Sequence, residues 1–105
     1  MADRKITKMR ELTVVEAKEL IRKNRNNPRF VILDVRTPEE FTEEYLPGAL
    51  NIDIYADDFE EKIAGLDRMG TYLVYCKSGG RSRAAVELME ELGFRNVYNG
   101  VGWMF

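Results

Sequence analysis

Two patterns of apolar spacing alternate along the chain. Thr13-Val14-Val15-Glu16 forms a capping box, with threonine at the N-cap and glutamate three residues on. The segment behind it sets Val14, Ala17, Leu20 and Ile21 on one face of a helix that breaks at Asn24-Arg25-Asn26-Asn27-Pro28. Phe30 to Val35 is a near-continuous apolar run, too short for a helix and suited to a parallel strand buried on both faces. Thr37-Pro38-Glu39-Glu40 is a second capping box, with proline at the first helical position, and Leu46-Pro47-Gly48-Ala49 ends that short helix. Leu50 to Ile54 reads as a weak strand. Asp57 or Asp58 is placed to cap a helix presenting Phe59, Ile63 and Leu66, with Gly65 near its C-terminus. Thr71 to Tyr75 is a second buried strand. Ser82 to Leu92 is a helix with Ala84, Ala85, Leu88, Met89 and Leu92 on one face, stopped by Gly93, and Asn96 to Asn99 is a last short strand.

Strands joined by helices predict an α/β domain with a mostly parallel sheet and right-handed crossovers. At 105 residues, without repeats or linker-like stretches, the expectation is one domain over residues 1–105. The net charge of −2 gives no basic field for nucleic acid. The start, Met1-Ala2-Asp3-Arg4-Lys5, is charged, and no following stretch has the length of a signal peptide or a membrane span, so the expected location is the cytoplasm, away from membranes. A lone cysteine forms no internal disulfide, in accord with a reducing compartment.

Histidine is absent, which excludes more chemistry than any other feature of composition. Ser-His-Asp and Cys-His hydrolases need an imidazole base, and zinc held by one cysteine and carboxylates departs from the usual donor sets. No metal or cofactor is therefore expected. Any nucleophile here is activated by backbone dipoles and cations.

Cys76-Lys77-Ser78-Gly79-Gly80-Arg81-Ser82 supplies both. A buried strand delivers Cys76 to the carboxyl edge of the sheet. Gly79 and Gly80 permit a tight turn with positive φ and uncovered N–H groups, and the helix that follows points its free N–H groups and positive end into the turn. Lys77 and Arg81 add charge, and Arg83 stands near. Such a cradle binds anions and favours a thiolate. Taken singly, a cysteine at a strand end is more often a small buried residue, and a Ser-Gly-Gly turn only a connection. Their conjunction around one sulfur points to sulfur transfer, in which the thiolate takes a sulfane sulfur and passes it on in a second half-reaction.

The segment Cys76 to Ser82 resembles the active loop of single-domain rhodaneses, roughly Cys-x-x-Gly-x-Arg-Ser. Asp34-Val35-Arg36, Glu40-Phe41 and Leu46-Pro47-Gly48-Ala49-Leu50-Asn51-Ile52 resemble the family's other signature, in order and at the expected distances, and the likeness runs from about Glu11 to Trp103. It implies a rhodanese-like three-layer domain with a mostly parallel five-stranded sheet and helices on both faces. It also implies a sulfurtransferase whose donor is thiosulfate or a protein-bound persulfide and whose acceptor is a thiol, a protein or, in assay, cyanide. Carried over, Cys76 is the sulfur carrier and Lys77, Ser78, Gly79, Gly80, Arg81 and Ser82 form the persulfide cradle. Asp34 and Arg36 fall on the strand-end pair that supports the site.

From topology, Asp34 ends one central strand as Cys76 ends another, so both are expected to face the ligand-binding edge of the sheet. Asp34 is therefore expected to hold the cysteine turn through N–H or hydroxyl bonds, and Arg36 to pair with Glu40 in a structural role; the alternative is a solvated strand-end pair that only fixes a turn. Many relatives have a histidine before the Pro-Gly-Ala turn, where this chain has Tyr45-Leu46. They also have a closing helix beyond the double glycine, whereas Gly100-Val101-Gly102-Trp103-Met104-Phe105 ends this sequence. Either the sequence is trimmed or the helix is lacking, and the end either leaves an apolar contact flank or folds back on the core. Two rivals compete. A cysteine phosphatase or arsenate reductase spaces cysteine and arginine one residue further apart, and Ser82 occupies that place here. A rhodanese-like module used only for binding or regulation usually loses the cysteine, which this chain keeps.

Overall fold

The structure, a computed structural model, describes residues 10–105; the charged start at residues 1–5 lies outside them. In chain order the elements are β1 (Glu11–Leu12), α1 (Val14–Lys23), β2 (Phe30–Asp34), α2 (Pro38–Glu43), β3 (Leu50–Asn51), α3 (Phe59–Ala64), β4 (Thr71–Tyr75), α4 (Gly80–Glu91) and β5 (Asn96–Gly100). The sheet has five strands in the order β1-β5-β4-β2-β3, and every neighbouring pair is parallel. Among the described residues, no helix is long and apolar enough to cross a membrane.

Both capping boxes form. The Thr13 and Thr37 side chains accept from the N–H groups of Glu16 and Glu40, and those glutamates return to the threonine N–H groups. Asp58 sits at the N-cap of α3 but makes no capping bond with its side chain, which faces Lys62 at 3.5 Å instead. The expected strand over Leu50–Ile54 stops at Asn51, because Asp53 turns the chain: its carboxylate accepts from the Tyr55 N–H at 2.9 Å and its carbonyl from Ala56 N–H at 3.1 Å. The expected strands included neither β1 nor its place on the edge beside β5. Two residues are too few to show alternation.

Strand alternation divides the core into two faces. On one, Leu33, Val35, Val74, Cys76 and Val97 pack with Phe59 and Ile63 of α3 and with Ala85, Val86 and Met89 of α4. On the other, Ile32, Leu73 and Tyr75 pack with Ala17 of α1 and with Met104. The buried face of α4 is Ser82, Ala85, Val86 and Met89, so Val86 is buried and Ala84, placed on that face by the sequence, is exposed. The chain end folds back. Met104 is buried, and a Cβ added at Gly100 would lie 2.7 Å from its Cε. Phe105 packs partly against the same cluster, while Trp103 remains 44% exposed.

In the register of the sheet, Asp34 lies opposite Tyr75, so its side chain leaves on the Tyr75 face, away from Cys76. This corrects the expectation that Asp34 holds the cysteine turn. It accepts instead from the Arg36 N–H at 2.9 Å and from the Arg36 guanidinium at 2.7–3.1 Å. Both partners are nearly inaccessible, at 0% and 2% exposure. The guanidinium also donates to the Glu44 carbonyl and lies 5.1–5.8 Å from the ring centres of Phe105, Tyr75 and Trp103. Burial works against its charge, but the Asp34 carboxylate outweighs it and raises the Arg36 pKa. The expected Arg36–Glu40 pair is absent, because Arg36 is committed beneath the chain end.

Removing one member of a buried ion pair strands the other without a partner, at about 3–5 kcal/mol. Asp34→Ala is predicted to lower the free energy of unfolding by about that amount in urea titration. Replacing both residues by apolar side chains of similar volume (Asp34→Leu with Arg36→Met) should recover most of it.

Candidate active site

Tyr75 is the last residue of β4, so Cys76 leaves the carboxyl edge of a central strand with its side chain on the α4 face. Three residues later, Gly79 takes φ +111° as the N-cap of α4. L side chains resist that conformation, and glycine enters it freely. Of the two glycines expected to need positive φ, only Gly79 has it; Gly80 begins the helix with ordinary φ.

The reversal at Gly79 turns two backbone N–H groups back on the sulfur. Gly79 N–H donates to Cys76 Sγ at 3.1 Å and Ser82 N–H at 3.4 Å, with Ser82 Oγ also 3.4 Å away. Burial pushes the thiol up. The Ser82 hydroxyl and the amides of Ser82, Gly79 and Ser78 outweigh it, and the Cys76 pKa falls below its ordinary value. The lowering thus comes first from the Ser82 hydroxyl and then from backbone amides at a helix start. Cys76 is only 1% exposed and forms the floor of the cradle, while Lys77, Ser78 and Gly80 on its rim are exposed.

The cations expected to assist are occupied or peripheral. Arg81 donates from both terminal nitrogens to Glu40, at 2.7 and 3.0 Å. That contact lowers the Glu40 pKa to about 2 and raises that of Arg81. Arg83 is directed to Glu11 and Glu87, at 3.7 and 4.0 Å. Lys77 is exposed and shares with Arg36, Glu40, Glu43, Glu44 and Trp103 the lining of an open cavity of about 430 Å³ beside the turn.

Asn99 is a residue of the site that the sequence reading passed over as part of a strand. It is buried and grips the turn with both ends of its amide. Oδ1 accepts from Ser82 Oγ at 2.5 Å, and Nδ2 donates to the Gly79 carbonyl at 3.2 Å. The Gly79 carbonyl also accepts from Arg83 N–H at 3.0 Å and lies 3.2 Å from Ser82 Oγ. The Ser82 hydroxyl has one proton and three neighbours able to accept it, so Asn99 and Cys76 compete for it. Nothing in the run Asn96-Val97-Tyr98-Asn99-Gly100 sets Asn99 apart from the polar Asn96 at the other end of the strand. In sequence Glu40 belongs to a capping box and is expected to pair with Arg36; its second partner is instead Arg81, 41 residues away.

No group of three or more His, Cys, Asp and Glu side chains placed to hold a metal ion occurs among the described residues. What the site offers is a lone sulfur whose anionic form is met by converging N–H and O–H donors.

Comparison with known proteins places this arrangement. The chain is 38% identical over 72 residues to the thiosulfate sulfurtransferase PspE of Escherichia coli, covering 67% of each. It is 31% identical over 94 residues to the thiosulfate sulfurtransferase GlpE of Coxiella burnetii, covering 89% of this chain and 81% of that protein. Its fold superposes with a TM-score of 0.75 on the crystal structure of a rhodanese-like domain protein from Staphylococcus aureus, at 30% identity over 91% of this chain and 88% of the other. A family model described as the rhodanese-like domain matches residues 13–102. The cysteine turn, the parallel five-stranded sheet that carries it and these likenesses agree: the chain belongs to the rhodanese-like domain family.

Proposed function

We propose that the protein is a thiosulfate sulfurtransferase-type enzyme that carries sulfane sulfur as a persulfide on Cys76. The observation that carries this reading is the convergence of the Gly79 and Ser82 N–H groups and the Ser82 hydroxyl on one sulfur atom. In the first half-reaction the Cys76 thiolate attacks the outer sulfur of thiosulfate. The sulfur–sulfur bond of the donor breaks, its electron pair leaves with sulfite, and Cys76 holds Cys–S–S⁻. In the second, a thiolate or cyanide attacks the outer sulfur and the Cys76 thiolate leaves, which gives ping-pong kinetics. Charge accumulates on sulfur in both steps, where preorganised donors stabilise it.

In this reading Cys76 is the catalytic residue, and the backbone of Lys77, Ser78, Gly79, Gly80, Arg81 and Ser82 cradles the persulfide. The outer sulfur lies about 2 Å beyond Sγ, lifting the reactive atom from the floor of the cradle toward its rim. Asp34 and Arg36 act at a distance, by fixing the chain end whose Trp103 borders the cavity at the mouth. The partners are a small sulfur donor and a thiol or protein acceptor. A reducing cytoplasm, which keeps a lone thiol free between turnovers, suits the chemistry. The burial of Cys76 favours a second reading, a rhodanese-like module used for binding or regulation.

Intact-mass measurement after incubation with thiosulfate separates the two. The enzyme reading predicts a gain of one sulfur atom that cyanide removes and that Cys76→Ser lacks. An unmodified wild-type mass with thiosulfate and with a persulfide donor would leave the binding module. The donors on Sγ make a second prediction. Ser82→Ala removes a hydroxyl that lowers the Cys76 pKa, so the pH profile of Cys76 alkylation by iodoacetamide should move upward. An unmoved profile would mean that the hydroxyl serves Asn99 and the Gly79 carbonyl rather than the sulfur.

A further inference from the structure

Arg81 is the guanidinium within the cysteine turn, and its charge is matched by a carboxylate: each terminal nitrogen gives one of its N–H groups to Glu40. Glu40 is itself immobilised: its Oε1 accepts from Thr37 N–H at 3.0 Å and from Thr37 Oγ1 at 3.2 Å as part of the capping box of α2. The carboxylate therefore cannot swing clear of Arg81 without breaking its own half of the capping box. The pair is partly accessible, with side-chain exposures of 22% and 29%, and the Cys76 thiolate is among the charges that Arg81 feels.

The other charges around the mouth do not restore a positive field. Arg36 is neutralised by Asp34. On the wall of the adjoining cavity, Lys77 stands against Glu43 and Glu44, which pair with no cation among the described residues. With both ion pairs cancelled, that wall carries one positive and two negative charges.

We propose that Glu40 is a specificity-determining residue: by holding Arg81 it withdraws a cation from the approach to Cys76 and biases the enzyme away from small dianionic sulfur donors toward donors of lower charge. This rests on the sulfurtransferase reading and sharpens its substrate class. The chemistry gives the bias its sense. A thiolate meeting thiosulfate brings one negative charge to two, so the encounter depends on net positive charge at the mouth more steeply than the attack on a monoanion does. The backbone cradle serves both donors alike. A free guanidinium would favour the dianion selectively.

The test is Glu40→Gln, whose amide oxygen at the Oε1 position can still accept from Thr37 and keep the capping box, while loss of the negative charge and of the Oε2 acceptor leaves the Arg81 charge uncancelled. Steady-state kinetics are compared for thiosulfate and for benzenethiosulfonate, a monoanion with the same transferable sulfur. The expected result is a rise of roughly tenfold in kcat/KM for thiosulfate, a smaller rise for the monoanion, and a gain that shrinks as salt is added. Adding Arg81→Gln to that variant should cancel the gain. An unchanged or lower kcat/KM for thiosulfate in folded Glu40→Gln, or an equal gain for both donors, would overturn the proposal. If Glu40→Gln does not fold, Arg81→Gln alone carries the test. It leaves Glu40 uncompensated, so kcat/KM should fall, more for thiosulfate than for the monoanion, and an equal fall for both overturns the proposal. Failure of the wild type to acquire sulfur from either donor would remove the sulfurtransferase reading itself. A wild type that loads sulfur, with variants showing no charge-dependent difference, removes only the role of Glu40.

Discussion

The site stands on a reversal of chain direction at Gly79. With φ at +111°, the backbone turns its N–H back toward the residue three positions earlier, and the first turn of α4 adds the Ser82 N–H to the same point. A helix leaves its first amides without internal partners. Here two elements that would otherwise leave donors idle satisfy them on one sulfur. The buried thiol in turn gains a hydrogen-bonded setting that, against the effect of burial, lowers its pKa below the ordinary thiol value in a chain without histidine. Asn99 keeps the geometry by joining the two sides of the turn, Gly79 and Ser82, through one side-chain amide.

The sheet supplies the fixed frame for this. Its central strands are buried on both faces and paired over their full length: β2 with β4 from Phe30↔Thr71 to Asp34↔Tyr75, and β4 with β5 from Thr71↔Asn96 to Tyr75↔Gly100. Such a register admits no slip, since a shift of one residue would send the core side chains to the wrong layer. The same register determines the two polar networks at the carboxyl edge. Cys76, Ser82 and Asn99 meet on the α4 face. Asp34, Arg36 and the aromatic chain end meet on the α1 face. The second network fastens the segment through Trp103 rather than touching the sulfur.

Local pattern made the strands at Phe30 and Thr71, both capping boxes and the presence of α4 legible, because each depends on neighbours within four residues, although α4 begins at Gly80, two residues before the expected Ser82. The turn from Cys76 to Ser82 was legible for the same reason. What stayed hidden depends on pairing between distant segments. Asp34 and Cys76 both end central strands, and only the register reveals that their side chains leave on opposite faces. Glu40 already had a local explanation in Thr37, which concealed its bond to Arg81. Asn99 looks like any polar residue near a strand end until β5 is seen beside the turn. β1 is two residues long and is recognisable only through the Arg10 carbonyl and Leu12 carbonyl that receive the Asn99 and Val101 N–H groups.

These hidden contacts bear on how the charge of the site is arranged. Reading Lys77, Arg81 and Arg83 along the chain suggests a strongly positive loop, and a positive loop suggests an anion clamp. In space Arg81 is cancelled by Glu40 and Arg83 faces two glutamates, leaving Lys77 on the rim. The field at the sulfur is therefore one of short-range dipoles, strong at hydrogen-bond distance and weak a few ångströms out. A site built this way stabilises charge on the atom it holds better than it attracts charge from solution. That asymmetry suits the carrier role proposed above, in which an anionic outer sulfur is kept in place between two partners and released to the second.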